Sequence, residues 1–311
     1  MLSFTLRRLF YSVLVIFGVV TVVFFIMNLL PDPARMMQGQ RADLATQAAI
    51  RHQLGLDLPP FERYLRFIGD VAQGDLGRSW SSNRPVLGSI WERFGATATL
   101  AISAMTIATI LGIGIGILSA VRSYTIFDNA TMLFALVGIS VPAFVMGLLA
   151  MLLFGSVLDW LPVSGYMFQG DELHLEYLVL PMSVLALRPI SIIARVTRSS
   201  MLETLASDYV RTAKAKGVAW KGVVYRHALR NALNPVVTTV SAWLAGLLVG
   251  TYFIEYIFNW PGIGLQAVDA ITRSDFPIIQ GTVIFSAVIF VTVNFFVDIL
   301  YSRMDPRVKL G

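Results

Sequence analysis

Six long apolar runs constrain this chain more than any other feature of its sequence. A helix rises ~1.5 Å per residue, so about 20 apolar residues cross a bilayer core of ~30 Å. Runs of this kind lie at residues 10–30, 98–121, 130–158, 177–194, 236–254 and 278–301. They are continuous rather than alternating, which is not the pattern of a membrane β-barrel. Because only helices and closed barrels satisfy their backbone groups in lipid, the sequence predicts an all-α integral membrane protein with six transmembrane helices.

Composition supports this class and excludes others. Only 14% of the 311 residues are charged, against ~25% in typical soluble domains. The chain has no cysteine, which excludes disulfides, thiolate metal sites and cysteine nucleophiles. Its net charge of +5 is explained by basic cytoplasmic loops, so no nucleic-acid partner is expected. The first run is longer than the ~7–15 apolar residues of a signal peptide, and we expect it to be a retained span.

The distribution of basic residues predicts the orientation. Short cytoplasmic loops are enriched in Lys and Arg. Such residues occur near the N-terminus, after the second and fourth runs and in the C-terminal tail, whereas 159–176 contains none. Both termini are therefore expected in the cytoplasm. We expect 1–30 to be a cytoplasmic N-terminus with the first span, 31–97 an external insertion, and 98–311 a five-helix core that includes the cytoplasmic loop 196–235.

An amphipathic helix is predicted within the external insertion. Pro59 and Pro60 open it, and Gly74 and Gly77 follow its end. Its apolar face would be formed by Phe61, Tyr64, Leu65, Ile68 and Val71. Such a helix lies against the membrane surface, against the bundle, or against a partner.

The segment 208–235, between the fourth and fifth runs, is basic and rich in helix-forming residues. Asp208 is placed to cap a first helix, and Gly217 to end it. A second helix is expected from about 220 to 232, since Pro235 disfavours helix at the residue before it. The residues alone leave two interpretations open: a helix inserted into a groove of another protein, or a basic helix lying on anionic lipid.

Motifs along the whole chain resemble the peptide/nickel branch of ABC importer permeases. The chain reads DYVRTAKAKG at 208–217 and HALRNALNPV at 227–236, as expected for the coupling loop of that branch. Stretches at 54–80, 195–203, 257–264 and 294–308 are similar to the same branch. The general EAA motif of these permeases is kept less well. Arg211-Thr212-Ala213 stands at its first part and His227-Ala228-Leu229-Arg230 at its last, although Gly217 matches its glycine.

The resemblance implies a type I ABC importer permease of the B type in a bacterial inner membrane. It implies a related second permease subunit, two ATPase subunits that bind ATP and Mg, and an external substrate-binding protein. This chain would hold no cofactor or metal and would not be an enzyme, and it contains no GxxxxGK phosphate loop. The residues expected to couple it to the ATPases are Asp208, Tyr209, Arg211, Ala213, Lys214, Lys216, Gly217 and Trp220.

Two further groups are candidates for the transport path. Arg188 lies within the fourth run, where a charge costs at least ~2.5–3.5 kcal/mol at the bilayer centre. It should therefore face an aqueous cavity or a partner. It would bind a substrate carboxylate, pair with an acid of the second permease, or contact water nearer the inner surface. At the outer end of the fifth run, the candidates for an external gate or re-entrant turn are Glu255, Trp260, Pro261 and Gly262. Trp260 equally fits an interfacial aromatic residue.

Other polar and proline residues within the runs carry structural expectations. Pro142 is expected to interrupt the third span, and Pro181 and Pro189 the fourth. Asn294 and Asp298 lie four apart and are expected to cap or bond neighbouring helices rather than bind an ion. The three glycines 112, 114 and 116 are expected to serve close helix packing.

Other classes of protein fit the sequence less well. An ion-coupled secondary transporter usually carries several ionisable groups within its spans, and only Arg188 and Asp298 are candidates here. A membrane-embedded enzyme lacks support, because the three histidines fall outside the runs. The resemblance implies di- or oligopeptides as the substrate, and the lack of His and Cys in the spans favours peptides over nickel. Nickel complexes, glutathione-like peptides and other small solutes are the alternatives.

Overall fold

A computed structural model of the protein describes residues 2–29, 52, 57–170 and 172–304. These residues are mostly helical because long apolar segments in lipid can satisfy their backbone groups internally. The helices are α1 (Leu2–Leu29), α2 (Pro60–Ala72), α3 (Val86–Val121), α4 (Ile126–Ser140), α5 (Ala143–Ala150), α6 (Glu176–Leu205), α7 (Asp208–Ala215), α8 (Leu229–Val249), α9 (Tyr252–Ile257), α10 (Ile263–Thr272) and α11 (Phe276–Met304). π-Helical stretches span Met151–Val157 and Val223–Ala228, and Trp220–Gly222 forms one helical turn. Strands β1 (Phe168–Gln169) and β2 (Glu172–Leu173) pair antiparallel.

The six-span prediction is confirmed. Within the described residues, five helical segments are long and apolar enough to cross a bilayer: Thr5–Leu29, Val86–Val121, Glu176–Leu205, Trp220–Val249 and Phe276–Ile299. The helices Ile126–Ser140 and Ala143–Val157, bent by 103° at the break between them, bring the number of candidate spans to six when the pair is counted as one span.

The prolines behave differently from one another. Pro142 stands at the bend between α4 and α5, as predicted. The expectation that Pro181 and Pro189 interrupt the fourth span is wrong, since both lie inside the unbroken helix α6. A proline removes only its own N–H donor, and both residues are buried among other helices, where packing compensates for the missing hydrogen bond.

The chain divides into two compact units, and the first comprises residues 1–95 and 262–311. In it α1 packs along α11 through Val20, Val23 and Ile284. At another point Arg8 pairs with Asp298 at 2.7 Å, which agrees with a helix-bonding role for Asp298. Asn294 bonds its own helix instead, donating to the carbonyl of Phe290 at 2.8 Å.

The predicted amphipathic helix is α2, and it packs against the bundle. Ile68 and Val71 join the cluster formed by α1 and α11. The hydroxyls of Tyr64 and Thr21 hydrogen-bond at 2.8 Å. Phe61 and Leu65 were placed on the same face but are exposed, so the apolar face is narrower than the sequence pattern indicated.

Asp275 connects the loop before α3 to the start of α11. Its buried carboxylate accepts hydrogen bonds from the hydroxyls of Ser79 at 2.5 Å and Ser81 at 2.6 Å. The backbone N–H groups of Trp80 and Ser81 also donate to it, at 3.1 and 3.2 Å. Burial alone would raise the pKa of Asp275, but these four donors outweigh burial and hold the pKa below its usual value.

The second unit, residues 96–261, is built around α6. Two of the three glycines predicted to serve packing bring α3 close to it. A methyl group at Gly112 would come within 2.8 Å of Ile193, and one at Gly116 within 2.5 Å of Thr197. Gly114 has nothing within 4 Å at the corresponding point. Small residues thus allow α3 and α6 to approach closely, as they do between membrane helices in general.

Candidate functional site

The first helix of the predicted coupling loop is α7, and its two ends are formed differently. Ser207 rather than Asp208 occupies the N-cap position, and no side chain caps the helix, so the predicted cap is wrong. The C-terminal end agrees with the sequence, because Gly217 has φ +81°. The N–H of Val218 donates to the carbonyl of Ala213 at 3.2 Å and that of Gly217 to Lys214 at 3.0 Å, which is a Schellman motif.

One face of α7 is buried and the opposite face is exposed. Val210 and Ala213 are buried, so Ala213 shapes the segment from within. Other predicted coupling residues present their side chains to the surface: Asp208, Tyr209, Arg211, Lys214, Lys216 and Trp220. The exposed surface of this segment is basic and includes the rings of Tyr209 and Trp220, and Tyr, Trp and Arg are residue types enriched in protein interfaces.

Two contacts hold the exposed aromatic residues in place. The amide of Asn231 donates to the hydroxyl of Tyr209 at 2.7 Å. The ammonium nitrogen of Lys214 lies 4.5 Å from the ring centroid of Trp220, a cation–π distance. Both exposed rings of the segment 208–221 are therefore in contact with a neighbouring side chain.

The second helix of the loop does not end before Pro235, contrary to the prediction. The helical segment Trp220–Val249 is continuous and includes a π-helical stretch at Val223–Ala228. Pro235 lies inside α8. The buried residues Val224, Ala228 and Ala232 pack against α3 and α6, and this packing outweighs the local preference of proline.

Arg188 is exposed on α6 and lies near the ring of Trp243 on α8. Its guanidinium carbon is 5.8 Å from the ring centroid, within the range of a cation–π contact. The exposed residue Arg195 lies seven positions further along the same helix, about two turns away. Two cations thus occur on the exposed side of a membrane-spanning helix.

Two of the candidate gate residues, Glu255 and Trp260, are fully buried in the second unit. Glu255 is 0% exposed and accepts hydrogen bonds from the hydroxyls of Thr97 at 2.8 Å and Thr251 at 2.7 Å. Trp260 is also 0% exposed, and its indole nitrogen donates to the carbonyl of Ala96 at 2.8 Å. The alternative of an interfacial belt residue is wrong for Trp260, since its ring is fully enclosed. Pro261 ends this unit, and Gly262 precedes α10 in the other unit.

Sequence reasoning missed the ion pair between Asp128 and Arg198. Asp128, on α4, is 1% exposed. Two nitrogens of Arg198, on α6, each donate to a different oxygen of its carboxylate at 2.6 Å. Arg198 is one of the basic residues that follow the fourth apolar run, and Asp128 lies between the second and third runs. No local motif connects residues that lie 70 positions apart.

Comparison with known families decides the class of protein. Residues 112–310 match the binding-protein-dependent transport system inner membrane component, and residues 1–101 match the N-terminal membrane component of the same systems. The chain belongs to this family. It is therefore a transmembrane permease of an ABC importer in a bacterial inner membrane. Such a permease is not itself an enzyme, because a separate ATPase hydrolyses ATP, and it works with an external binding protein.

Alignments with individual relatives cover nearly the whole permease. It is 41% identical to a dipeptide transport system permease protein of Alkalihalophilus pseudofirmus, with 99% of this chain and 100% of that protein covered. It is 40% identical to a di/tripeptide permease of Pseudomonas aeruginosa, with 99% of each covered. A glutathione transport system permease of Salmonella paratyphi A is 41% identical, again with 99% of each covered.

Solved structures agree on the fold. The permease resembles a chain of the inward-facing methionine ABC transporter MetNI with a TM-score of 0.54 and 16% identity, covering 70% of this chain and 96% of that one. A similar match to an amino acid ABC transporter has a TM-score of 0.53 and 15% identity, covering 70% of this chain and 94% of that one. At these identities the likeness concerns the fold alone.

Proposed function

We propose that this permease forms half of the translocation pathway of an importer for dipeptides and other short peptides. The observation that carries the proposal is full-length similarity, at 40–41% identity, to permeases whose names specify dipeptides, di/tripeptides and glutathione. Glutathione is itself a tripeptide, so these names share one substrate class. A related second permease subunit supplies the other half, and two ATPase subunits drive transport.

The loop 208–221 is the element that receives the ATPases in this proposal. Its exposed residues Tyr209, Arg211 and Trp220 are of types enriched in protein interfaces, while Val210 and Ala213 are buried against the rest of the second unit. When ATP draws the ATPases together, their grooves carry the loop, and the attached spans rock between inward-facing and outward-facing states. Residues 31–97 lie on the external side.

Arg188 contributes to the pathway by attracting the carboxylate of the peptide. Charged residues within membrane spans almost always face the bundle interior or a water-filled cavity. Arg188 is exposed in the single subunit, and Trp243 supports its position without neutralising its charge. We also propose an external gate at Glu255 and Trp260. Both side chains are enclosed by the second unit and hydrogen-bonded within it.

The test is uptake of a labelled dipeptide by cells with and without this permease, with all partner subunits present. Unlabelled dipeptide, tripeptide, glutathione and a nickel salt are added as competitors. The proposal predicts that deletion abolishes uptake and that the peptides compete whereas nickel does not. Unchanged dipeptide uptake in the deletion strain, or competition by nickel alone, would contradict the peptide assignment and leave the permease class intact.

A further inference from the structure

A single buried carboxylate joins three parts of the second unit. The carboxylate of Asp128 accepts hydrogen bonds from two of the three guanidinium nitrogens of Arg198 on α6. It also accepts a hydrogen bond from the hydroxyl of Ser119 near the end of α3, and one from the backbone N–H of Tyr124 at 2.9 Å. The carboxylate of Asp128 therefore binds α3, the turn that follows it, and α6.

The helices around this carboxylate are in close backbone contact. Gly112 and Gly116 leave no room for a side chain between α3 and α6. Gly138 likewise leaves no room for a side chain between α4 and α6, since an added methyl group would overlap the hydroxyl of Ser191 on α6. Packed helices of this kind move as a body rather than deform, because protein interiors are dense.

The coupling loop is attached to the same group of helices. Arg198 lies on α6 only a few residues before the loop begins at Asp208. Val224, Ala228 and Ala232, which follow the loop, pack with Met201 of α6 and Ile117 of α3. A displacement of the loop must therefore displace α6 and α3.

The bent span contacts α6 through its first half, α4, both by the close approach at Gly138 and by the ion pair. At Pro142 this span bends by 103° between α4 and the helical segment Ala143–Val157. Because of this bend, a movement of the second segment is not transmitted to α4 as it would be along one straight helix. The Arg198–Asp128 pair provides the charged connection from α6 to the first half. Two parallel hydrogen bonds fix the orientation of the partners as well as their distance, which a single bond between flexible side chains does not.

We propose that Asp128 and Arg198 are positioning residues that transmit movement of the coupling loop to the bent span α4. The proposal rests on the proposed role of loop 208–221 as the ATPase docking element. ATP hydrolysis then drives uptake only if this pair keeps α4 in register with α6. Loosening the pair leaves hydrolysis running while the pathway responds poorly.

The variants are chosen to loosen the pair without leaving a lone buried charge. Asp128→Asn alone would strand the Arg198 cation and can prevent folding. Arg198→Lys keeps the charge but loses the planar fork. The double variant Asp128→Asn/Arg198→Gln keeps similar shapes and removes both charges. The matched control is Arg8→Gln/Asp298→Asn, which removes the α1–α11 ion pair in the other unit.

The experiment reconstitutes the complete importer in vesicles and measures peptide uptake per ATP hydrolysed, with assembly checked by copurification of the partner subunits. Both pair variants are expected to assemble and to lower this ratio at least about fivefold, a typical scale for coupling between sites. The control is expected to keep the wild-type ratio.

An unchanged ratio in the assembled pair variants would overturn the proposal, as would failure of both to assemble, which would assign the pair to folding alone. Gly217→Val, measured in parallel, separates the two proposals. If it uncouples transport and the pair variants do not, only the role of the pair is contradicted. If the pair variants uncouple transport and Gly217→Val does not, the docking role of the loop is contradicted instead.

Discussion

The ammonium nitrogen of Lys214 lies 4.5 Å from the ring centroid of Trp220, so the two exposed residues form one unit across the turn at Gly217. Both were predicted from sequence to belong to the coupling surface, but the sequence did not predict a contact between them. The structure joins them. A charge over a ring is worth ~0.5–1 kcal/mol at an exposed site.

This pairing predicts that Trp220 acts through its ring. Trp220→Ala should weaken binding of the ATPase subunits to the solubilised permease, because it removes the contact surface and releases Lys214. Trp220→Phe keeps a ring and should retain most of the binding. Copurification of the ATPase subunits measures both. Equal binding by the wild type and Trp220→Ala would show that the ring is not part of the docking surface.

Gly217 should matter through its backbone conformation. Its φ of +81° is left-handed, and no atom within 4 Å would obstruct a side chain. For a residue with a Cβ this conformation costs roughly 1–2 kcal/mol, and Asn tolerates it better than other residues. Gly217→Val should therefore uncouple uptake from ATP hydrolysis, whereas Gly217→Asn should keep most of the coupling.

Both Gly217 variants should reach the membrane in wild-type amounts, because the change lies outside the spans. Uptake and ATP hydrolysis are measured on the same vesicles. Transport at the full rate by Gly217→Val would be incompatible with the assigned role of the turn.

Arg188 should affect transport through its charge. Arg188→Gln is expected to reduce the maximal rate of dipeptide uptake, because the carboxylate loses its attraction within the pathway. Arg188→Lys keeps the charge and should be less impaired. Since binding of peptide to the separate binding protein is untouched by either change, the effect should appear in the maximal rate. Wild-type uptake by Arg188→Gln would remove Arg188 from the pathway.

The lowered pKa of Asp275 should make part of the folding stability of the permease depend on pH. Its folded-state pKa is lower than the ordinary value of ~3.9, because four hydrogen-bond donors outweigh the opposing effect of burial. The stabilisation is therefore fully present above the ordinary pKa and is lost as pH falls through the lower folded-state pKa. The wild type should lose thermal stability in detergent on acidification towards that range.

Asp275→Asn is the matching variant, and it should be less stable at neutral pH and lose less on acidification. Glu62→Gln, an exposed change on α2, is the control and should follow the wild type. Parallel pH profiles of the wild type and Asp275→Asn would show that Asp275 contributes no such component.

The features that the sequence predicted correctly depend on residues close together along the chain. Apolar length located the six spans, Pro59 and Pro60 located the start of α2, and Gly217 located the end of α7. The predictions that failed concern places where distant packing outweighs local preference. Pro181, Pro189 and Pro235 lie inside continuous helices because neighbouring helices compensate for the lost hydrogen bond.

The candidate site shows the same division. The exposed residues of α7 follow from helical spacing around the buried Val210 and Ala213. The Asp128–Arg198 pair could not be found in this way, because its partners come from different helices and neither belongs to a local pattern. The buried indole of Trp260 likewise donates to the carbonyl of Ala96, which lies 164 positions away.

The central claim is that residues 208–221 receive the ATPase subunits, and cross-linking tests it most directly. The sequence contains no cysteine, so a single cysteine at Lys216, labelled with a short photoactivatable group, reports one position in the assembled importer. A cysteine at the exposed Phe61 on α2 is the control. The account predicts that the ATPase subunit is captured from position 216 and not from position 61. Capture of lipid alone from position 216 would contradict it and would identify the loop as a basic helix lying on the membrane.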